Sequence, residues 1–485
     1  MEDVFFCIIV EYGKSMVIRL TLGHSFVILC LKAMKKIQLS DHFSYNRLLR
    51  FTAPCVVMMV FTSIYGIVDG FFVSNFAGKT PFAAVNLIFP FLMILGTVGF
   101  MFGAGGNALI SKTLGEGDRD KANRLFSLLI YVTLALSLVM TGLGYAILRP
   151  VAVALGAEGE LLENCVVYGR IYLLGLPAFI FQYEFQSLFS TAETPRFGLV
   201  VTLASGFANM LLDGIFVGVA QWGIAGAAWA TVISQVIGGG LPLLYYALPN
   251  KSLLRIGRAS WDGKALLKIC ANGSSELLSN VSMSVVSMFY NAQLIRFAGE
   301  NGVAAYGVLM YVGYVFFSVF MGYSVGVAPV VGFHYGAKNR MELRNLLGKS
   351  MLVIGVASVC MCALAEGLSL PFAKLFVGYD PELLRLTERA FRFYSISFLF
   401  MGTAVFGSAF FTALNNGPVS ATISFLRTCV FQIAAVLLLP LWLGIDGVWS
   451  SLVVSEAVAM VITLSFLWVK RKRYGYTIEP VEPTN

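Results

Sequence analysis

In the stretch GFANMLLDGIFVG, Asn209 and Asp213 stand four residues apart, which puts both side chains on one face of a helix. A second acid, Asp69, is the single charge in the run from Phe51 to Val73, FTAPCVVMMVFTSIYGIVDGFFV. As a helix that run is long enough to cross a bilayer. A carboxylate toward its middle costs roughly 2.5–3.5 kcal/mol on insertion scales, so a chain that keeps one usually turns it toward protein or water. Asp69 stands almost as far past Phe51 as Asp213 stands past Arg196, near the start of its own apolar run. At about 1.5 Å per residue, two runs of the same direction carry these carboxylates at nearly the same depth. Thr231, nine residues into the next run, reaches a similar level, roughly 13 Å from the outer end. Two carboxylates, an amide and a hydroxyl suit Na⁺, or let paired acids share a proton. The plainer alternatives are a structural hydrogen-bond network and an Asp69 that snorkels to the interface.

These residues need helices to hold them, and the composition supplies little else. With 58% hydrophobic and 12% charged residues, against about 25% charged in soluble domains, the chain cannot cover a globule with polar surface. It reads as an integral membrane protein. Apolar segments recur at 51–73, 83–110, 125–148, 165–189, 196–219 and 222–248, then at 272–297, 303–331, 346–370, 390–413, 418–441 and 445–469. The fold expected is all-α and polytopic, with twelve transmembrane helices. Basic clusters precede the first span (Lys32, Lys35, Lys36, Arg47, Arg50) and join the halves (Lys251, Arg255, Arg258, Lys264, Lys268). They recur after spans 2 and 8 and in the tail KRKR. All fall on one side, which predicts cytoplasmic termini and explains the net charge of +8 without nucleic acid. The apolar piece Met16–Leu31 is short and interrupted by Arg19 and His24, and no basic n-region precedes it. Residues 1–33 are therefore expected to be an upstream extension, with Met34 the true start.

The halves echo one another. Gly78 and Gly299, Gly115 and Gly336, Thr191 and Thr412, and Gly223 and Gly444 are all separated by one and the same interval. Six spans per half make both halves point the same way, so two six-helix lobes are expected about a pseudo-two-fold axis along the membrane normal. The acidic layer is not repeated: at that interval, Asp69 and Asp213 map onto Tyr290 and Ala434. The second half offers Glu276 in span 7 and Glu456 at mid-span in span 12. Glu184 and Glu366 lie nearer helix ends, and for Glu276 and Glu184, within reach of the cytoplasmic interface, a structural or interfacial role is weighed above a functional one. For Glu456, a cation contact and an interhelical hydrogen bond both remain open.

Other motifs carry less. The Gly103, Gly105 and Gly106 cluster has no strand before it and fits close helix packing better than a nucleotide. In LGEGDRDKANR, the spacing from Gly115 to Asp118 departs from the major facilitator signature, and Asp118 or Asp120 suits a helix cap. The eight Cys, among them Cys55, Cys165, Cys360, Cys362 and Cys429, lack metal-ligand spacing, and no HExxH, GxSxG or Walker lysine occurs. No enzyme, cofactor or structural metal is expected. Phe and Met residues can line an adaptable apolar cavity.

The stretch SIYGIVDGFFVSNFAGKTPFAAVNLIFP, with FGAGGNALISKTLGEGDRDKAN and the second-half VGVAPVVGFHYGAKN, resembles the multidrug and toxic compound extrusion family in its bacterial efflux branch. The resemblance runs from about Met34 to Lys472. It implies an inner-membrane antiporter exporting cationic or amphipathic drugs and xenobiotics in exchange for H⁺ or Na⁺. In one branch the coupling site matches Asp69, Asn209, Asp213 and Thr231, with Tyr168 on span 4. A branch with a second-lobe cation site places acids on spans 7 and 10; Glu276 matches the first, and span 10 has no interior acid. The expected domains are 1–50 (cytoplasmic), 51–248 (first lobe), 249–271 (linker), 272–469 (second lobe) and 470–485 (tail). Small molecules and membrane lipids are the expected partners of a monomer. A lipid-linked precursor flippase of the same superfamily is the alternative, which a cavity lined by several arginines would favour; a membrane-embedded enzyme is a more remote one.

Overall fold

A computed structural model describes residues 37–250, 252–378 and 380–476. The expected extension to residue 33 and the last nine residues lie outside that range. The first lobe comprises α1 (Tyr45–Ala77), α2 (Thr80–Gly115), α3 (Arg119–Ala154), α4 (Gly159–Thr191), α5 (Pro195–Val219) and α6 (Gly223–Ala247). A 74-residue helix, Gly263–Gly336, follows. Straight, it would run about 110 Å, several times the hydrocarbon core. Gly299 breaks it at φ 57° and ψ −147°, and Tyr290 and Tyr306 stack across the break with centroids 5.1 Å apart. Its two arms are α7 (263–298) and α8 (300–336). Then come α9 (Arg340–Gly367), a short helix Ser369–Val377, α10 (Pro381–Ala413), α11 (Gly417–Leu443) and α12 (Ile445–Tyr474). Twelve spans result among the described residues, most longer than their apolar stretches; α1 already begins inside the segment expected to precede it.

Polar caps start several helices, the one at Asp118 as the sequence places it and the one at Asp262 inside the expected linker. The carboxylate of Asp118 accepts from Lys121 N–H at 2.8 Å, and Asp262 does the same for Ala265 at 3.0 Å. The turns keep the internal repeat: Gly78 and Gly299, and Gly223 and Gly444, all hold positive φ, a conformation only glycine adopts freely. One correspondence shifts. The left-handed residues ending α4 and α10 are Glu193 and Asn415, one position further apart than the repeat interval, so Thr191 and Thr412 are not equivalent. The second lobe gains one residue before this turn and loses it again by Gly444, which a count over matched letters cannot see.

The lobes meet at the end that carries Leu39 and Tyr476. A Cβ on Gly105 would collide with the Ile269 carbonyl of α7, and one on Gly273 with the Met101 carbonyl of α2. Gly115 and Gly336 are likewise pressed against Phe333 and Lys112. Backbones can approach this closely only without side chains between them. The segment before α1 adds a strap. Leu39 N–H donates to Glu193 Oε1 (2.8 Å), on the α4–α5 turn of the first lobe. Phe43 N–H donates to Glu342 Oε1 (2.9 Å) on α9 of the second, and His42 Nδ1 lies 2.6 Å from Glu342 Oε2. Lys349 Nζ and Asn345 Nδ2 donate to the Phe43 carbonyl. Leu39 and Phe43 are fully buried. Glu342 itself precedes the apolar stretch of α9, outside the membrane-spanning part. Burial alone would raise its pKa, but the bonds from Phe43, His42 and Asn345 outweigh it and hold the carboxylate below its ordinary 4.5.

Candidate functional site

Asp69 on α1 faces Asp213 and Asn209 on α5 and Thr231 on α6. Tyr168, from α4, borders both acids and Thr231. Asp69, Asn209, Asp213 and Thr231, which the sequence placed at one depth, and Tyr168, which the resemblance added, therefore converge in one cluster. Asp213, Asn209 and Tyr168 are buried at 0, 1 and 2% exposure, while Asp69 and Thr231 are half-buried. Helix spacing brings Asn209 and Asp213 to one face, as their four-residue interval requires. Asp69 Oδ1, Asn209 Oδ1, both Asp213 oxygens and Thr231 Oγ1 are buried without a formed hydrogen bond. Buried polar oxygens are rarely left so, and this set can take a proton or a small cation between the two carboxylates.

Three of the contributing helices change geometry beside the pocket. α1 passes into a π-helical turn at Val73–Ala77, α5 at Gly214–Val219 directly after Asp213, and α6 at Val236–Gly240 directly after Gln235. Such turns loosen the backbone ladder and cluster at functional sites. A second ring escaped the sequence reading. Tyr65, one turn before Asp69, lies near it and accepts at 3.5 Å from Gln182 Nε2; Tyr172, one turn after Tyr168, faces Gln235. Their spacing of four from residues already chosen was the available signal.

A cavity lies between the lobes. Its walls include Met59 and Thr62 of α1, Tyr183 and Gln186 of α4, and Glu276, Arg427 and Glu456 of the second lobe. Glu276 stands half-buried on the cavity wall, without an ion pair among the described residues. Glu184 takes the structural option: it is fully buried and faces Thr133 of α3. The reason is close packing, because α4 at Glu184 lies against α2 at Gly103, where an added Cβ would come within 3.1 Å of the Glu184 Cα. Glu456 is fully buried and accepts from Arg427 Nε at 3.0 and 2.8 Å, so of the two options left open it takes the interhelical bond. Glu366 accepts from Ser395 Oγ at 2.8 Å at the end of α9.

The MatE family model matches residues 54–215 and again 277–438, once in each lobe. Multidrug export protein MepA of Staphylococcus haemolyticus is 26% identical over 432 residues, covering 88% of this chain and 94% of that protein. MepA of Staphylococcus aureus NCTC 8325 is 24% identical over 441 residues, with the same coverage. Among solved structures, a MATE protein in complex with MaL6 superimposes with a TM-score of 0.86 at 22% identity, over 92% of this chain and all of that one. An outward-facing multidrug resistance MATE family transporter of the MOP superfamily gives the same TM-score, identity and coverage. With both lobes matched by the family and the twelve-helix fold shared, this chain belongs to the MatE family of membrane transporters and is not an enzyme.

Proposed function

We propose that the protein is a secondary multidrug exporter that moves cationic or amphipathic compounds out of the cell in exchange for H⁺ or Na⁺. The observation that carries this is the pair Asp69 and Asp213, packed with Asn209, Thr231 and Tyr168 around buried oxygens without hydrogen bonds. In the cycle we propose, a cation or proton enters this pocket, neutralises it and shifts the balance between two arrangements of the lobes. Antiport requires that the same event weaken drug binding on the outward side. The names of the MepA relatives, both multidrug export proteins, support the export reading. Basic clusters at the end that carries Leu39 and Tyr476 support cytoplasmic termini in a bacterial plasma membrane. On that assignment the lobes are closed inward and the conformation is outward-facing. We take the lobes as 51–248 and 272–469, joined by the linker 249–271, in a chain that works as a monomer among membrane lipids. Glu276, Glu456 and Glu184 are secondary to the coupling pocket in this scheme.

Ethidium transport in inverted vesicles, driven first by an imposed ΔpH and then by ΔNa⁺, tests the reading and identifies the ion. Asp69→Asn and Asp213→Asn are each expected to abolish transport while leaving membrane insertion intact. Full transport by both variants would remove the pocket from the mechanism.

A further inference from the structure

Where the lobes meet, like charges from opposite lobes are pressed together. Lys112, in the last turn of α2, sets its Nζ 5.7 Å from the ring centroid of Tyr335 on α8, and its side chain is 24% exposed. Lys268 of α7 is half-buried and lies beside it, with Lys121 of α3 near enough to add its charge. The carboxylate that stands with these three ammonium groups is Glu116, 3.3 Å from Lys112.

Other basic side chains at this end have acceptors in the protein. Arg119 donates to the carbonyls of Ser252 and Leu253, Arg255 to that of Asn250, and Lys349 to that of Phe43. Lys112 and Lys268 instead face one another, held there by the close approach of Gly105 to Ile269 and of Gly336 to the Lys112 backbone. Two ammonium groups brought together under a half-buried surface repel, and an anion between them would offset the cost.

An apolar groove adjoins the pair. Lys264, one turn before Lys268 on the same face of α7, lines it together with Trp261, Leu266, Leu267 and Cys270. Trp261 and Leu267 are 79 and 72% exposed. The linker that leads to the groove is tied to the first lobe: Arg255 N–H donates to Asn123 Oδ1 and Gly257 N–H to Ser127 Oγ, both at 2.9 Å, and the Tyr131 hydroxyl donates to the Gly257 carbonyl at 3.0 Å. Trp261 therefore stands just before the apolar part of α7, at the level where indoles and lysines meet lipid headgroups.

We propose that Lys112 and Lys268 bind the phosphate of an anionic phospholipid whose acyl chains lie on Trp261 and Leu267, so that one lipid bridges the two lobes. The facing ammonium groups call for the phosphate, and the exposed apolar groove beside them selects a lipid over a soluble anion. Lys121 and Lys264 flank the headgroup and strengthen its field. The site is separate from the interlobe cavity and does not depend on what the protein exports.

Native mass spectrometry of the full-length protein in a neutral detergent, with phosphatidylglycerol and phosphatidylcholine supplied at equal concentration, reads the first lipid bound. The wild type is expected to prefer phosphatidylglycerol about twentyfold. Lys112→Gln and Lys268→Gln should each weaken phosphatidylglycerol about fivefold, the worth of one lysine at an anionic headgroup, and the double variant should bind both lipids alike. The double arginine variant, Lys112→Arg with Lys268→Arg, should keep the preference, and Trp261→Ala should weaken both lipids. Lys470→Gln with Lys472→Gln, the same charge change on the tail of α12, should stay within about twofold of the wild type. An equal loss in the tail variant would mean diffuse attraction to a basic face and overturn the site. So would the absence of a preference in the wild type or its survival in the double glutamine variant. Displacement of phosphatidylglycerol by an equal concentration of glycerol 3-phosphate would overturn the lipid assignment in favour of a soluble phosphate.

Discussion

Buried acids meet different fates here, and the neighbours decide each one. Asp69 and Asp213 face one another in a pocket of oxygens without bonds, Glu456 is neutralised by Arg427, and Glu342 gathers donors from the strap before α1. Removing one member of a buried pair leaves the other charge stranded. Glu456→Gln is therefore expected to destabilise the detergent-solubilised protein by about 3–5 kcal/mol, and Arg427→Met added to it to restore most of the loss; thermal unfolding of the two variants measures this. The strap has an acid-sensitive side. Burial lowers the pKa of His334, which lies just past the apolar stretch of α8, below 6.5, so the unfolded chain takes up that proton first and stability falls as pH drops below 6.5. Glu342, held below 4.5, contributes stability that is full above 4.5 and lost as pH falls through its lower folded value. Hydrogen exchange at the Leu39 and Phe43 amides, corrected for intrinsic rate, should stay constant above pH 6.5 and rise in these two stages below it. Glu342→Gln should remove the second stage and cost about 1–3 kcal/mol at neutral pH.

At the scale of helices, contact between the lobes depends on what α2, α7 and α8 lack. Gly105 and Gly273 each meet the carbonyl backbone of the opposite lobe, and backbone cannot rotate aside as a side chain can. Gly105→Leu and Gly273→Leu should therefore prop the lobes apart at the end that carries Leu39 and Tyr476 and shift the population toward the opposite opening. A membrane-impermeant maleimide applied to inverted vesicles, with Ser279→Cys on the cavity wall as reporter, should label both variants faster than the parent. Gly142→Leu, at a position with nothing within 4 Å, should leave the rate unchanged. Equal rates in all variants would mean that these glycines do not govern closure.

For the molecule as a whole, the expectation is that export requires this contact to open. A Cβ built on Gly332 of α8 lies 3.2 Å from the Ser111 Cβ of α2, near the separation a disulfide spans. The pair Ser111→Cys and Gly332→Cys should thus cross-link the lobes under oxidation, abolish ethidium export, and regain it on reduction. Either single variant should be insensitive to oxidant. Unchanged export by the cross-linked protein would exclude relative lobe motion at this end from the cycle.

The sequence by itself determined the number of the spans, because lipid demands about twenty apolar residues per crossing. It also determined the turn glycines, whose positive φ leaves a residue-type signature, and the shared depth of Asp69, Asn209, Asp213 and Thr231, because depth along a helix is linear in residue number. Rotation about each helix axis and packing between distant helices are not linear in residue number, and there only the tertiary structure decided. It buried Glu184 by pressing α4 onto α2 at Gly103, turned Glu276 to the cavity, and gave Glu456 to Arg427. It also drew the strap across both lobes through Glu193 and Glu342, partners 154 and 299 residues from the amides they bind. No local pattern encodes a contact of that range, since it depends on where every intervening helix comes to rest.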